Sequence, residues 1–316
     1  MVRIIYFALS IFVIIMLTAC GNDNRTFPII VQEMDGTRMV VHRFGKTQVP
    51  LEPKRVLALG QEYMLADLLD AEISVVASNA NLTDNLDGFE PQELDDIVLL
   101  SATDPNLEML SLLNPDLIIG VDYFISRIGY DKLSAIAPVV AIDADEDWRR
   151  TYVETLAIFG KAEDAKANLA DYDARLFAIK KELNANGRPI SVGTIYPDQS
   201  PAAWVDGPTA VPQMLLDLGF TLSPGTAQFN QFNIHDGRVF FSIERLELFA
   251  ADTFILLQSA RVDGEQESLA KVKTNPIWQK LPAVQSGRVF ELNRLGYPGL
   301  RGRKQLLHDL TEILKK

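Results

Sequence analysis

From Trp148 to Asn186 the chain carries no strand pattern, while short apolar runs alternate with helical spacing on either side. In this stretch apolar positions recur at Tyr152, Leu156 and Phe159, then at Ala165, Leu169, Tyr172, Leu176 and Ile179, in steps of three and four. Gly160 marks a kink, and Asn186-Gly187 followed by Pro189 ends the pattern. The spacing predicts one long connector helix over 148–187, in one piece or in two. Before it, Lys54–Gly60, Ile73–Ser78, Asp116–Val121 and Pro138–Ile142 read as buried strands, with helices over Gln61–Ala71 and Asn106–Leu113. After it, Ile190–Tyr196, Thr253–Gln258 and Arg288–Asn293 read as strands, with helices over Val211–Leu218 and Gln305–Leu314. Strands alternating with helices imply parallel sheets covered on both faces. The expected fold is α/β: two Rossmann-like lobes with parallel-rich sheets, residues 50–147 and 188–316, joined by the connector. A chain of 316 residues with 47% hydrophobic content suits two such cores.

The first segment sets the compartment. Met1-Val2-Arg3 is a short basic start, and Ile4–Leu17 is almost wholly apolar but shorter than the roughly 20 residues of a spanning helix. It ends Leu17-Thr18-Ala19-Cys20-Gly21, with the only cysteine of the chain at the border. This resembles the lipobox of bacterial lipoproteins, with residues 1–19 as the signal and Cys20 as the lipidated residue. An uncleaved anchor with an incidental cysteine is the alternative. The expected location is the periplasm or cell surface, tethered to a membrane through Cys20. Residues 20–49 read as a polar tether and a hairpin turning at Asp35-Gly36. A single cysteine excludes an intramolecular disulfide framework. The net charge of −12 argues against a nucleic-acid partner. Three scattered histidines, His42, His235 and His308, do not make a His-rich metal site.

One segment echoes another. Asn106–Asp116 (NLEMLSLLNPD) aligns with Ser242–Asp252 (SIERLELFAAD). Each has a capping residue, a Glu in the first turn, apolar spacing, an Asp and then a buried strand. Together with the stretches PKRVLALGQEYMLADLLDAEISVVA, LSAIAPVVAI and NPIWQKLPAVQSGRVFELN, the chain resembles the substrate-binding proteins of iron-siderophore and cobalamin ABC transporters. The resemblance spans most of residues 50–316. The acidic stretch NLTDNLDGFEPQELDD departs from it and reads as a solvated face.

The resemblance implies a ferric siderophore bound between the lobes and passed to an ABC permease, by a monomer needing no cofactor and no direct metal ligands. It also implies that Glu108 and Glu244 pair with permease arginines. In open α/β sheets ligands lie beyond the carboxyl ends of strands. That places Tyr63, Tyr123, Arg127, Tyr196, Trp204, Arg294 and Tyr297 among the expected ligand contacts, with Phe232 from a polar loop; Arg261, Arg301 and Arg303 follow as further cations. Aromatic rings suit apolar linkers, and guanidinium suits chelating oxygens. Haem or cobalamin on the same fold remains an alternative, as does a lipid-anchored hydrolase, although no G-x-S-x-G elbow is present. Asp143, Asp145 and Asp147 echo a calcium loop, but Trp148 stands where its turn wants Gly, so helix capping explains the acids.

Overall fold

The computed structural model describes residues 28–80, 88–101, 105–143, 147–207 and 209–315. The signal segment and Cys20 lie outside the described residues. The first three strands, β1 (Ile30–Met34), β2 (Thr37–His42) and β3 (Gly45–Pro50), form an antiparallel meander. Its first turn falls at Asp35-Gly36 as expected, and a third strand follows that the sequence pattern did not suggest. Thr47 Oγ1 donates to the Val139 carbonyl at 2.7 Å, fastening the meander to the lobe behind it.

The N-terminal lobe follows as β4 (Val56–Leu59), α1 (Gln61–Asp70), β5 (Val75–Ser78), α2 (Pro91–Leu94), β6 (Val98–Leu99), α3 (Leu107–Leu112), β7 (Leu117–Val121), α4 (Asp122–Ile128), α5 (Tyr130–Ser134) and β8 (Val139–Ile142). All strand pairs are parallel, in the order β6-β5-β4-β7-β8. The apolar runs form strands here because each face of the pleat enters a different core. Val56, Ala58, Ile119, Val140 and Ile142 face one core; Leu57, Leu59, Ile118, Val139 and Ala141 face the other. Strand order reverses between β4 and β7, so a crevice opens beyond their carboxyl ends.

The strandless stretch holds two helices, α6 (Trp148–Ala157) and α7 (Ala162–Leu183). The long connector is the 22-residue α7. The ten residues before it do not extend the rod. Gly160 takes φ +74°, and α6 folds back antiparallel on α7. Trp148 meets Tyr172 edge-on at 5.5 Å, and Arg149 donates to Asp173 at 2.8 Å. Asp147 caps α6 by accepting from the Arg149 and Arg150 amides, which accounts for that acid without calcium.

The C-terminal lobe comprises β9 (Pro189–Ile195), β10 (Pro201–Trp204), α8 (Ala210–Asp217), β11 (Thr221–Leu222), β12 (Arg238–Phe240), β13 (Phe254–Gln258), α9 (Glu265–Lys273), α10 (Pro282–Gln285), β14 (Val289–Asn293) and α11 (Gly299–Leu314). Its sheet runs β12-β10-β9-β13-β14 with β11 beside β9. β9, β11, β13 and β14 are parallel, and β10 and β12 are antiparallel additions. The echo of α3 is not an α-helix: residues Ile243–Leu248 form 3-10 turns broken at Arg245. Both copies keep their caps. Asn106 accepts from the Met109 amide, and Ser242 accepts from the Glu244 amide.

The last helix does not stay with its sheet. α11 packs on α1, α7 and α8. Arg301 donates to Asp70 and Glu93 at 2.8 Å, so Glu93, expected on a solvated face, instead joins the two lobes. One core is continuous from Ile119 and Leu65 through Tyr172 and Leu306 to Ile255 and Leu257.

Candidate functional site

The N-terminal wall of the site is the start of α1. Gln61 takes φ +57°, and its amide donates to Asn79 Oδ1 at 2.9 Å, so the helix starts on a tight bend directly after β4. That bend projects Tyr63, which is 46% exposed, while Glu62 is buried beside it. Although its ring is exposed to the cleft, the protein walls crowding its hydroxyl, and secondarily the Glu62 charge, raise the Tyr63 phenol above its usual range.

The C-terminal wall is built around Arg238. Asp236 (φ +49°) and Gly237 (φ +75°) form a turn with both central residues left-handed, pairing His235 with Arg238 and starting β12. The Arg238 guanidinium lies 5.1 Å from the Trp204 ring centre and 5.8 Å from that of Phe240. It donates to the Tyr196 hydroxyl at 2.7 Å, and its Nε is buried without an acceptor. Trp204, on β10, donates from Nε1 to Thr194 Oγ1 at 3.3 Å. Arg294 packs 5.7 Å from the Tyr196 ring centre, but its guanidinium is held by the fully buried Glu265 at 3.1 Å. Tyr297 donates to Asp309 at 2.9 Å, and burial together with that bond raises its phenol.

Between these walls lies a chamber of about 230 Å³ lined by Tyr63, Trp204, Arg238, Arg294 and Tyr297, with Glu62, Thr209 and Asp236 at its polar positions. Four of the expected contacts, Tyr63, Trp204, Arg294 and Tyr297, therefore converge. Tyr196 stands one layer back, bonded to Arg238. Tyr123, Arg127 and Phe232 do not line the chamber. Tyr123 and Arg127 lie exposed on α4, bonded to each other at 3.0 Å, and Phe232 is 78% exposed in a separate loop. Arg301 is taken by Asp70 and Glu93. Sequence reasoning missed Arg238, although Asp-Gly before an apolar alternation is a hairpin signal that places the next residue on a strand.

Glu108 and Glu244 are both exposed, each in the first turn after its cap. Among the described residues no group of three or more His, Cys, Asp or Glu could hold a metal ion, and no helix is long and apolar enough to cross a membrane.

Comparison with known proteins gives a coherent picture. The model of the family described as periplasmic binding protein matches residues 57–294. The chain is 26% identical over 314 residues to the Fe(3+)-citrate-binding protein YfmC of Bacillus subtilis, covering 96% of this chain and 93% of that one. It is 27% identical over 323 residues to the probable siderophore-binding lipoprotein YfiY of the same organism, covering 96% and 95%. The fold matches Staphylococcus aureus SirA complexed with staphyloferrin B at a TM-score of 0.71 and 24% identity, covering 88% of this chain and 98% of that one.

Proposed function

The chain belongs to the periplasmic binding protein family, matched over residues 57–294, and from that premise we propose that it captures a ferric siderophore between its lobes and presents it to an ABC permease for iron uptake. It is a binding protein and not an enzyme. The observation that carries the reading is the inter-lobe chamber, walled by Tyr63 from one lobe and Trp204, Arg238 and Tyr297 from the other. A ferric chelate presents apolar linkers around oxygen-rich iron. Aromatic faces cover the first, and guanidinium donors meet the second. The siderophore saturates its iron, so the protein supplies shape and hydrogen bonds, not metal ligands. Full-length relatives named for ferric citrate and for siderophores support the same cargo class.

Two further parts of the function rest on sequence position. Glu108 and Glu244 dock on permease arginines, one from each lobe, where their exposed charge steers approach and sets register. Cys20 carries the lipid that tethers the protein outside the cytoplasm.

Tryptophan fluorescence titration against a panel of ferric siderophores, with the iron-free forms as controls, tests the cargo. At least one ferric complex should quench with saturation, and Trp204→Ala should weaken that binding by about tenfold or more. Absence of binding to every ferric complex would remove the siderophore assignment.

A further inference from the structure

A second space of about 290 Å³ opens between α1, α6 and the start of α11. It lies beyond the carboxyl ends of β4 and β7, where the strand order reverses, and is lined there by Gly60, Gln61 and Val121. Tyr63 is common to both spaces.

The wall of this second chamber holds a cation with no direct ion-pair partner among the described residues. Arg303 is 7% exposed, and its guanidinium centre stacks 4.0 Å from the Trp148 ring centre. Among the described residues it forms no ion pair and donates no hydrogen bond. Its neighbour Trp148, also lining the chamber, has a buried Nε1 with no acceptor. Asp67 and Asp217 lie near Arg303 without pairing with it; burial raises both carboxyls, and Arg149, already engaged with Asp173, adds a second positive charge. Burial accordingly lowers the Arg303 pKa.

No Arg303 nitrogen is among the fully enclosed unpartnered atoms, so its free donors face the chamber, where an oxygen ligand can complete them. The contact with Trp148 restrains the guanidinium, whose fork suits a planar pair of oxygens. The chamber has room for more than a water molecule, whose share of liquid volume is about 30 Å³.

We infer that Arg303 forms an oxyanion site in this second chamber that receives a carboxylate, so that the cargo is an acid-bearing chelate. The identity of the anion as part of the cargo rests on the ferric-chelate reading; the anion site itself does not. A neutral trihydroxamate chelate offers Arg303 only its iron-bound oxygens and no free carboxylate, so the site favours acid-bearing siderophores.

The test uses protein labelled with fluorotryptophan, in which fluorine NMR resolves the Trp148 resonance, assigned with Trp148→Phe. Millimolar citrate, ferric citrate, inorganic phosphate and a neutral ferric trihydroxamate are titrated into wild type and Arg303→Gln. Citrate and ferric citrate should both shift Trp148, with affinity falling about tenfold or more in Arg303→Gln. The trihydroxamate should discriminate little between the two proteins. A shift with citrate but not with ferric citrate supports the carboxylate site and places the failure on the chelate reading alone. Phosphate shifting Trp148 while neither carboxylate does would overturn the carboxylate assignment. A second measurement guards against a purely structural role. In ligand-free protein, Arg303→Met should leave the melting temperature unchanged or raise it, since it removes an unbalanced buried charge. A lowered melting temperature with unchanged citrate affinity would overturn the proposal, as would a Trp148 resonance that no anion moves.

Discussion

Asp67→Asn isolates the tie that holds the start of α11 to the N-terminal lobe. Asp67 sits on α1, and its Oδ1 accepts from the Leu300 amide at 2.8 Å, doing from the other lobe the capping that Pro298 cannot do. Gly299 takes φ +59°, and a Cβ there would stand 2.5 Å from Asp67 Oδ1, so the approach leaves no room for a side chain. Burial is the main cause that raises Asp67 from 3.8 to about 7; the Leu300 bond opposes it, and the nearby Asp70 charge adds to it.

The direction of the pH effect follows from proton counting. Between about pH 4 and pH 7 the folded chain holds a proton on Asp67 that the unfolded chain has lost. Stability therefore falls as pH rises through that window and levels off above it. Asparagine keeps an acceptor for the Leu300 amide and never ionises. The shift of roughly three pH units sets a ceiling of about 4 kcal/mol, and partial exposure of Asp67 reduces it to about 2–4 kcal/mol. In urea unfolding at a series of pH values, Asp67→Asn should match wild type near pH 4 and exceed it by about that amount near pH 8. A difference curve flat from pH 4 to pH 8, or one favouring wild type at the alkaline end, would refute the reasoning.

Two other expectations concern charges with different duties. Glu108→Lys combined with Glu244→Lys should reduce iron uptake in cells by about tenfold or more while ferric-siderophore affinity in solution stays unchanged, because both side chains are exposed and outside the chamber; retained uptake would end the docking role. Arg294→Ala should destabilise the fold by about 3 kcal/mol, since it leaves Glu265, which is 0% exposed, with the Ser259 amide but no counterion. A melting temperature equal to that of wild type would show that Arg294 serves the ligand and not Glu265.

How much of this was legible in the sequence depends on whether a signal was local. The parallel strands were legible because Val56 to Leu59 and Leu117 to Val121 are apolar on both pleat faces, and both faces are covered. The break at Gly160 was legible as a kink, but not the reversal, which depends on Trp148, Arg149 and Tyr152 meeting Tyr172, Asp173 and Asn168. Aromatic residues after strands were a fair guide to the chamber at Tyr63 and Tyr297 and a poor one at Tyr123. There, a helix begins at once and turns the ring to solvent beside Arg127. Phe232 shows that an aromatic in a polar loop carries no direction. Arginine roles were the least legible. Arg294, Arg301 and Arg303 lie within ten residues, yet the first neutralises Glu265, the second ties the lobes and the third rests on Trp148 with no ion pair among the described residues. Their difference is set by residues far away in the chain.

The shared core has a consequence for how cargo is held. The lobes are joined by α7, by α11 lying across α1, and by an apolar core running from the inner face of one sheet to that of the other. A wide hinge opening would expose Tyr172, Leu306 and Leu65, each at most 1% exposed, along with the Arg301 pairs. Burying side chains of that size contributes about 1.5–3 kcal/mol each, so a fully opened state is sparsely populated. Little of the binding free energy is then spent on closing the lobes, and affinity depends on how well a rigid chamber fits its chelate. Discrimination is thereby moved from domain motion to side chains: Tyr63 shared by the two spaces, Arg238 lining one of them and Arg303 the other.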